Sequence, residues 1–207
     1  MLKTDTRSKM NKTAALFAAE QPAGPDRQEV YELLMKASRG LVNDHVLACM
    51  LASQSASEGD MPHGLGLAAR DYDKMMAAHF PVVQLPRSRM PGNAKFIARE
   101  DEFDELLTLI SSHGIDGSAE TSRMATLTAV GCMGGNHLWQ DMGLWSRKDL
   151  SFLIQANFPE LKVKNDKDMK WKKFFYKQLC MAEGIYVCRS PSCEVCPDYN
   201  DCFTVEE

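Results

Sequence analysis

The chain has 207 residues, 24 Lys and Arg against 28 Asp and Glu for a net charge of −4, and 44% hydrophobic residues. Such a length and balance suit one soluble globular domain with appendages. No run approaches the roughly 20 apolar residues of a membrane span, which excludes a membrane-embedded function.

Residues 1–26 are polar, rich in Ala, Lys and Thr, and close on "QPAGPD", the composition of a disordered or loosely attached tail. The apolar run "TAALFAA" within it is too short for a cleaved secretory signal, and Glu20 follows at once. The expected compartment is therefore the reducing cytoplasm, where clustered cysteines hold metals rather than disulfides.

Residues 27–184 read as a helical domain. "RQEVYELLMKASRG" and "NDHVLACMLASQSAS" place apolar residues at three- and four-residue spacing, with Gly40 as a stop between them. "LAARDYDKMMAAHF" predicts a third helix ending before Pro81, and "PVVQLPRSRMPGN" a connecting loop. "EDEFDELLTLISSH" has acidic residues in its first turn, as a helix dipole favours. "SAETSRMATLTAVGCM" follows and stops at Gly134-Gly135; Asn136 then caps a short helix, "HLWQDMGL". Ser146 caps "RKDLSFLIQANF", with Asp149 three residues on in a near-capping-box arrangement. The last helix, "DKDMKWKKFFYKQLCMAEG", takes Asn165 or Asp166 as its cap and Gly184 as its stop. The fold class is all-α: a bundle-like single domain followed, over 185–207, by an irregular cysteine-rich cluster-binding loop.

In the last helix Trp171, Phe175 and Leu179 form a core-facing row at i, i+4 and i+8, and Lys170, Lys173 and Lys177 a row on another side. Between Lys162 and Lys177, seven lysines and two aspartates give a local charge of +5, leaving −9 for the remainder. The lysine row is either a solvated helix face or an electropositive approach to the cysteines downstream. Cys180, four residues after Tyr176, is either a small buried hydrophobe or a spare thiolate.

Those cysteines are Cys188, Cys193, Cys196 and Cys202, in "CRSPSCEVCPDYNDC", spaced C-x4-C-x2-C-x5-C. Four thiolates this close repel one another without a cation, and Pro191 and Pro197 lower the entropy cost of gathering them. Zinc and an iron–sulfur cluster both remain open; the x4-then-x2 order leans toward the cluster. Further ligand candidates sit in "GCMGGNHLWQDMGLW". Cys132, His137 and Asp141 fall within ten residues, with His137 and Asp141 at i, i+4, where the carboxylate could orient the imidazole. The alternative is that His137 only caps or packs. His45, His63, His79 and His113 are scattered and singly uninformative. There is no nucleophile elbow, HExxH or paired-carboxylate signature.

"HLWQDMGLWSRKDL", "NFPEL", "DMKWKKFFYKQLC" and the terminal C-x4-C-x2-C-x5-C-F together resemble the NifQ family. The resemblance is close over about residues 130–203 and looser over 28–115, where "LACMLAS" and "HFP" fit. It implies a bacterial cytoplasmic protein serving nitrogen fixation, one that binds an iron–sulfur cluster and presents molybdenum as a Mo–Fe–S species. The implied partners are a NifEN-type cofactor scaffold and the nitrogenase Fe protein, with no nucleic acid and no membrane. The implied task is carriage of molybdenum for the iron–molybdenum cofactor rather than catalysis. The family's cysteine motif falls on Cys188, Cys193, Cys196 and Cys202; Cys132, His137 and Cys180 match family positions too. Molybdate is a hard oxyanion, so Lys170, Lys173, Lys177 and Arg189 are the expected source of attraction before softer thiolate chemistry takes over. Two other classes compete: a zinc-stabilised interaction module, and a helical iron–sulfur DNA glycosylase. The latter calls for a Gly-rich helix-hairpin-helix and a basic surface that this acidic chain lacks.

Overall fold

The protein is described here from a computed structural model covering residues 26–85 and 99–183. All of the tail but Asp26, most of the proline loop, the Gly184 stop, Arg189 and Cys188, Cys193, Cys196 and Cys202 lie outside the described residues. Nine α-helices and one 3-10 turn follow one another there, with no strand among the described residues, as the all-α expectation requires. They are α1 (Arg27–Ala37), α2 (Asp44–Ser55), the 3-10 turn His63–Gly66, α3 (Ala69–His79), α4 (Glu100–Ser111) and α5 (Ala119–Cys132). After these come α6 (Leu138–Asp141), α7 (Arg147–Asn157), α8 (Pro159–Lys164) and α9 (Trp171–Glu183). None is long and apolar enough to cross a membrane.

Two helices form the centre. Val46 to Ser53 of α2 are buried without a break, and α5 buries Leu127 to Cys132 in the same way. A helix apolar all round belongs in a core, not at its edge. The outer helices surround this pair: α1 packs against α2 and α4 against α5, while α9 packs on α4 and α8 on α7. A single hydrophobic cluster results, with Leu34, Phe80, Phe158, Phe174 and Phe175 among its fully enclosed members.

The caps follow the side-chain chemistry. The Asp26 carboxylate accepts from the Gln28 and Glu29 amides, Ser118 Oγ from Thr121, and Ser146 Oγ from Asp149. Two boundaries differ from expectation. His137, not Asn136, is the N-cap of the short helix, because Asn136 turns its amides toward Asp141 instead. The last helix begins at Trp171, several residues later than its sequence suggests, because Asn165 closes a turn around Met169. Its Nδ2 donates to the Met169 carbonyl at 2.9 Å and its Oδ1 accepts from the Met169 amide at 2.9 Å. Asp168 sits at φ +50°, which no helix tolerates, and α8 ends at Asn165 as a separate piece with Pro159 in its first turn.

A buried polar cluster ties α2, α3 and α5 together. The His79 imidazole donates from Nδ1 to Asp44 Oδ1 at 2.6 Å and from Nε2 to Glu120 Oε1 at 3.1 Å. Burial alone would push its pKa down, but the bonds to Glu120 and Asp44 outweigh it and hold the imidazolium above its ordinary range. Asn43 and Asn157 exchange amide bonds at 3.0 and 2.9 Å beside it, joining α7 to the start of α2.

Candidate functional site

Helix α9 is the last described element before the cysteines in the sequence. Trp171, Phe174, Phe175 and Tyr176 are all buried, and the rings of the first three meet at centroid distances of 5.6, 5.7 and 5.9 Å. The predicted row of Trp171, Phe175 and Leu179 faces inward, with Leu179 only partly enclosed. Of the lysine row, Lys170 and Lys173 are half-buried and Lys177 is exposed. Lys172 goes the other way: it is buried, with its ammonium donating to the Gly134 carbonyl at 2.9 Å and paired with the Asp141 carboxylate.

Asp141 is therefore engaged elsewhere than at His137. Its Oδ2 accepts from the Asn136 backbone amide at 2.9 Å and its Oδ1 from the Asn136 side chain at 3.0 Å, while Lys172 supplies the countercharge. Gly134 is required for this closeness, since a Cβ there would lie 2.3 Å from the Asp141 carboxyl carbon. His137 is exposed at the start of α6, and its backbone amide donates to Gln140 Oε1 at 3.2 Å. Cys132 is wholly buried; burial pushes its thiol up to about 12, with the Lys172 charge acting against it. Beside it Arg99 donates to the Tyr176 hydroxyl at 3.1 Å and the Met133 carbonyl at 3.2 Å, and pairs with Glu102. Cys180 is half-buried.

A second group of donors was not singled out from sequence. His45, Cys49 and Asp149 lie with one ligand atom from each within 4.8 Å of one another. His45 and Cys49 are one turn apart on α2, and Asp149 is in the first turn of α7. Asp149 Oδ1 faces His45 Nε2 at 3.1 Å, and Tyr31 Oη faces His45 Nδ1 at 2.9 Å. The spacing His-x3-Cys was the available signal; Asp149, a hundred residues on, was legible only as a helix-start residue.

Fold and site together define an all-helical protein, among its described residues, that carries buried ion pairs and one group of mixed nitrogen, sulfur and oxygen donors. The chain is a member of the NifQ family, whose match spans residues 46–204. It is 41% identical to Protein NifQ of Azotobacter vinelandii over 167 residues, covering 76% of this chain and 86% of the relative. It is 35% identical to Protein NifQ of Klebsiella pneumoniae over 156 residues, covering 72% and 90%, and 34% identical to that of Rhodobacter capsulatus over 158 residues, covering 76% and 86%. No solved structure matches the chain. Membership of this family implies a role in nitrogenase cofactor biosynthesis, on the molybdenum side.

Proposed function

We propose that this chain is a molybdenum carrier for the iron–molybdenum cofactor of nitrogenase, with Cys188, Cys193, Cys196 and Cys202 as the thiolates that hold an iron–sulfur cluster and its molybdenum cargo. One observation carries the reading: the family match runs through residue 204 and so includes all four cysteines at their C-x4-C-x2-C-x5-C spacing. The donor set fits the group, since four soft thiolates suit iron–sulfur chemistry and reduced molybdenum, whereas a hard cation would call for oxygen ligands. The cluster would supply the sulfur-rich environment that molybdate lacks.

The chain's own residues have separable parts in this. Lys173 and Lys177 on α9, with Lys170 just before it and Arg189 beyond it in the sequence, raise the local concentration of an oxyanion ahead of Cys188. Lys172 does not belong to that attraction; its charge is consumed by Asp141, and its work is to hold α9 against the body. His137, exposed where α6 begins, is the candidate for an exchangeable ligand that lets the cargo leave. Cys132 is enclosed in the core and would have to be uncovered before it could take part, whereas Cys180 on α9 is half-buried. The recipients are a NifEN-type scaffold and the nitrogenase Fe protein, in the cytoplasm.

The test is elemental analysis for Mo, Fe and Zn on protein purified without oxygen from molybdate-fed cells, beside Cys193→Ala and Cys196→Ala. Iron with molybdenum, both lost in the variants, is the expected result. Iron without molybdenum overturns the carrier role, and stoichiometric zinc with neither reduces the cysteine segment to a structural clip.

A further inference from the structure

The hydrogen-bond chain Tyr31–His45–Asp149 accounts for the imidazole but leaves the neighbouring thiol unexplained. Cys49 Sγ lies 3.9 Å from both His45 ring nitrogens, and a carboxylate stands close by. Burial and then the Asp149 charge push the Cys49 thiol up to about 12, which keeps it neutral and penalises its thiolate. A cation between the three groups reverses that penalty.

The distances suit one. For a tetrahedral ion bound at about 2.0 Å to nitrogen and oxygen and about 2.3 Å to sulfur, neighbouring ligand atoms stand roughly 3.3 Å apart for N and O and roughly 3.5 Å for N and S. The corresponding separations are 3.1 Å for His45 Nε2 to Asp149 Oδ1 and 3.9 Å for His45 Nε2 to Cys49 Sγ, each within a few tenths of an ångström of those values, and all three ligand atoms lie within 4.8 Å of one another, so that closure is a matter of drawing Cys49 and Asp149 together. The surroundings are those of a metal site as well. With Nε2 as the ligand atom, Nδ1–H donates to Tyr31 Oη, fixing the tautomer as outer partners of metal-bound histidines do. Asp149 Oδ2 accepts from the Trp145 amide at 3.2 Å, which aims Oδ1 at the site, and Trp145 packs on Tyr31 at 4.7 Å. Cys49 forms the buried floor, while the His45 side chain is 41% exposed, leaving one side open to solvent.

We infer that His45, Cys49 and Asp149 bind a divalent first-row transition cation of the zinc class, with a fourth position open to exchange. The donor set is borderline in softness, which selects such ions over magnesium or calcium. Binding displaces the Cys49 proton to solvent and links α2 to α7. The site is separate from the terminal cysteines and does not depend on their role.

The probe is cobalt(II), added without oxygen to full-length protein in which Cys188, Cys193, Cys196 and Cys202 are all replaced by Ser. The expected result is one equivalent bound, with thiolate-to-cobalt charge-transfer absorption and tetrahedral d–d bands, displaced by zinc and accompanied by a rise in Tm. In that background Cys49→Ser should abolish the charge-transfer band, and His45→Gln should weaken binding at least tenfold while the helical circular dichroism is retained. His45 is half-exposed, so the second variant keeps the test alive if the first fails to fold. Absence of the charge-transfer band in the background protein overturns the inference, as does a band that survives His45→Gln and Cys49→Ser unchanged. Either failure leaves the iron and molybdenum analysis of the unaltered protein untouched.

Discussion

Replacing Lys172 by Met isolates the buried ion pair, because Met keeps the unbranched shape and removes only the ammonium. The Asp141 side chain is 1% exposed and that of Lys172 is 8% exposed, so water cannot stand in for the missing charge. Asp141 would keep its two bonds from Asn136 and lose its countercharge, and the Gly134 carbonyl would lose its donor. Breaking a buried pair from one side costs about 3–5 kcal/mol. For a chain of this size that lowers Tm by about 6–20 °C, at roughly 2–4 °C per kcal/mol. Thermal and urea unfolding followed by circular dichroism measure it. The double variant Lys172→Met, Asp141→Asn should recover part of the loss, since the stranded charge is removed while the bonds from Asn136 can persist. A cost below about 1 kcal/mol, as for a solvent-exposed pair, would refute the buried-pair argument, and so would a double variant no more stable than Lys172→Met alone.

Other perturbations test the remaining contacts. His79 has its pKa raised in the fold, so its contribution is fully present below the unfolded value and fades as pH rises through the folded one; Glu120, lowered in the fold, contributes above its own unfolded value and fades in acid. His79→Gln should cost at least about 1.5 kcal/mol near neutrality and flatten the alkaline limb of a stability–pH curve. Gly134→Ala should destabilise by about 1–3 kcal/mol in urea unfolding, because its Cβ displaces the Asp141 carboxylate. Cys132, enclosed and with its thiol pushed up to about 12, should resist iodoacetamide in native protein and react on unfolding, as mass spectrometry of the labelled peptide would show. Replacing Lys170 and Lys173 by Glu should lower molybdenum loading while leaving iron content intact, and unchanged loading would remove their part in oxyanion attraction.

Helix positions were legible wherever a local rule sufficed. Ser146 is a cap whose oxygen needs only a neighbouring amide, and the inward row of α9 follows from a 3.6-residue period; the cap at Asp26, in a stretch whose composition reads as tail, and the one at Ser118 emerge from the structure. What failed to show was decided by partners far along the chain. Lys172 looks like one more member of a basic strip, yet it is turned inward by Asp141, 31 residues earlier. The i, i+4 spacing of His137 and Asp141 says that two side chains share a face but not which competitor wins, and it leaves equally open the capping role that His137 takes. Asn136 and Lys172 were the better partners for that carboxylate. His45, Cys49 and Asp149 show the same limit from the other side, as three unremarkable residues on two helices that only tertiary packing of α2 against α7 brings together.

Burial along α9 is graded. Trp171, Lys172, Phe174, Phe175 and Tyr176 are enclosed; Leu179 and Cys180 are half-covered; Met181 is 64% exposed. A helix held at one end and released at the other behaves as a cantilever. Its early amides should exchange with deuterium only through global opening, and its final turn through local fraying that costs little. The last turn of α9 can therefore open and re-form without drawing on the stability of the core.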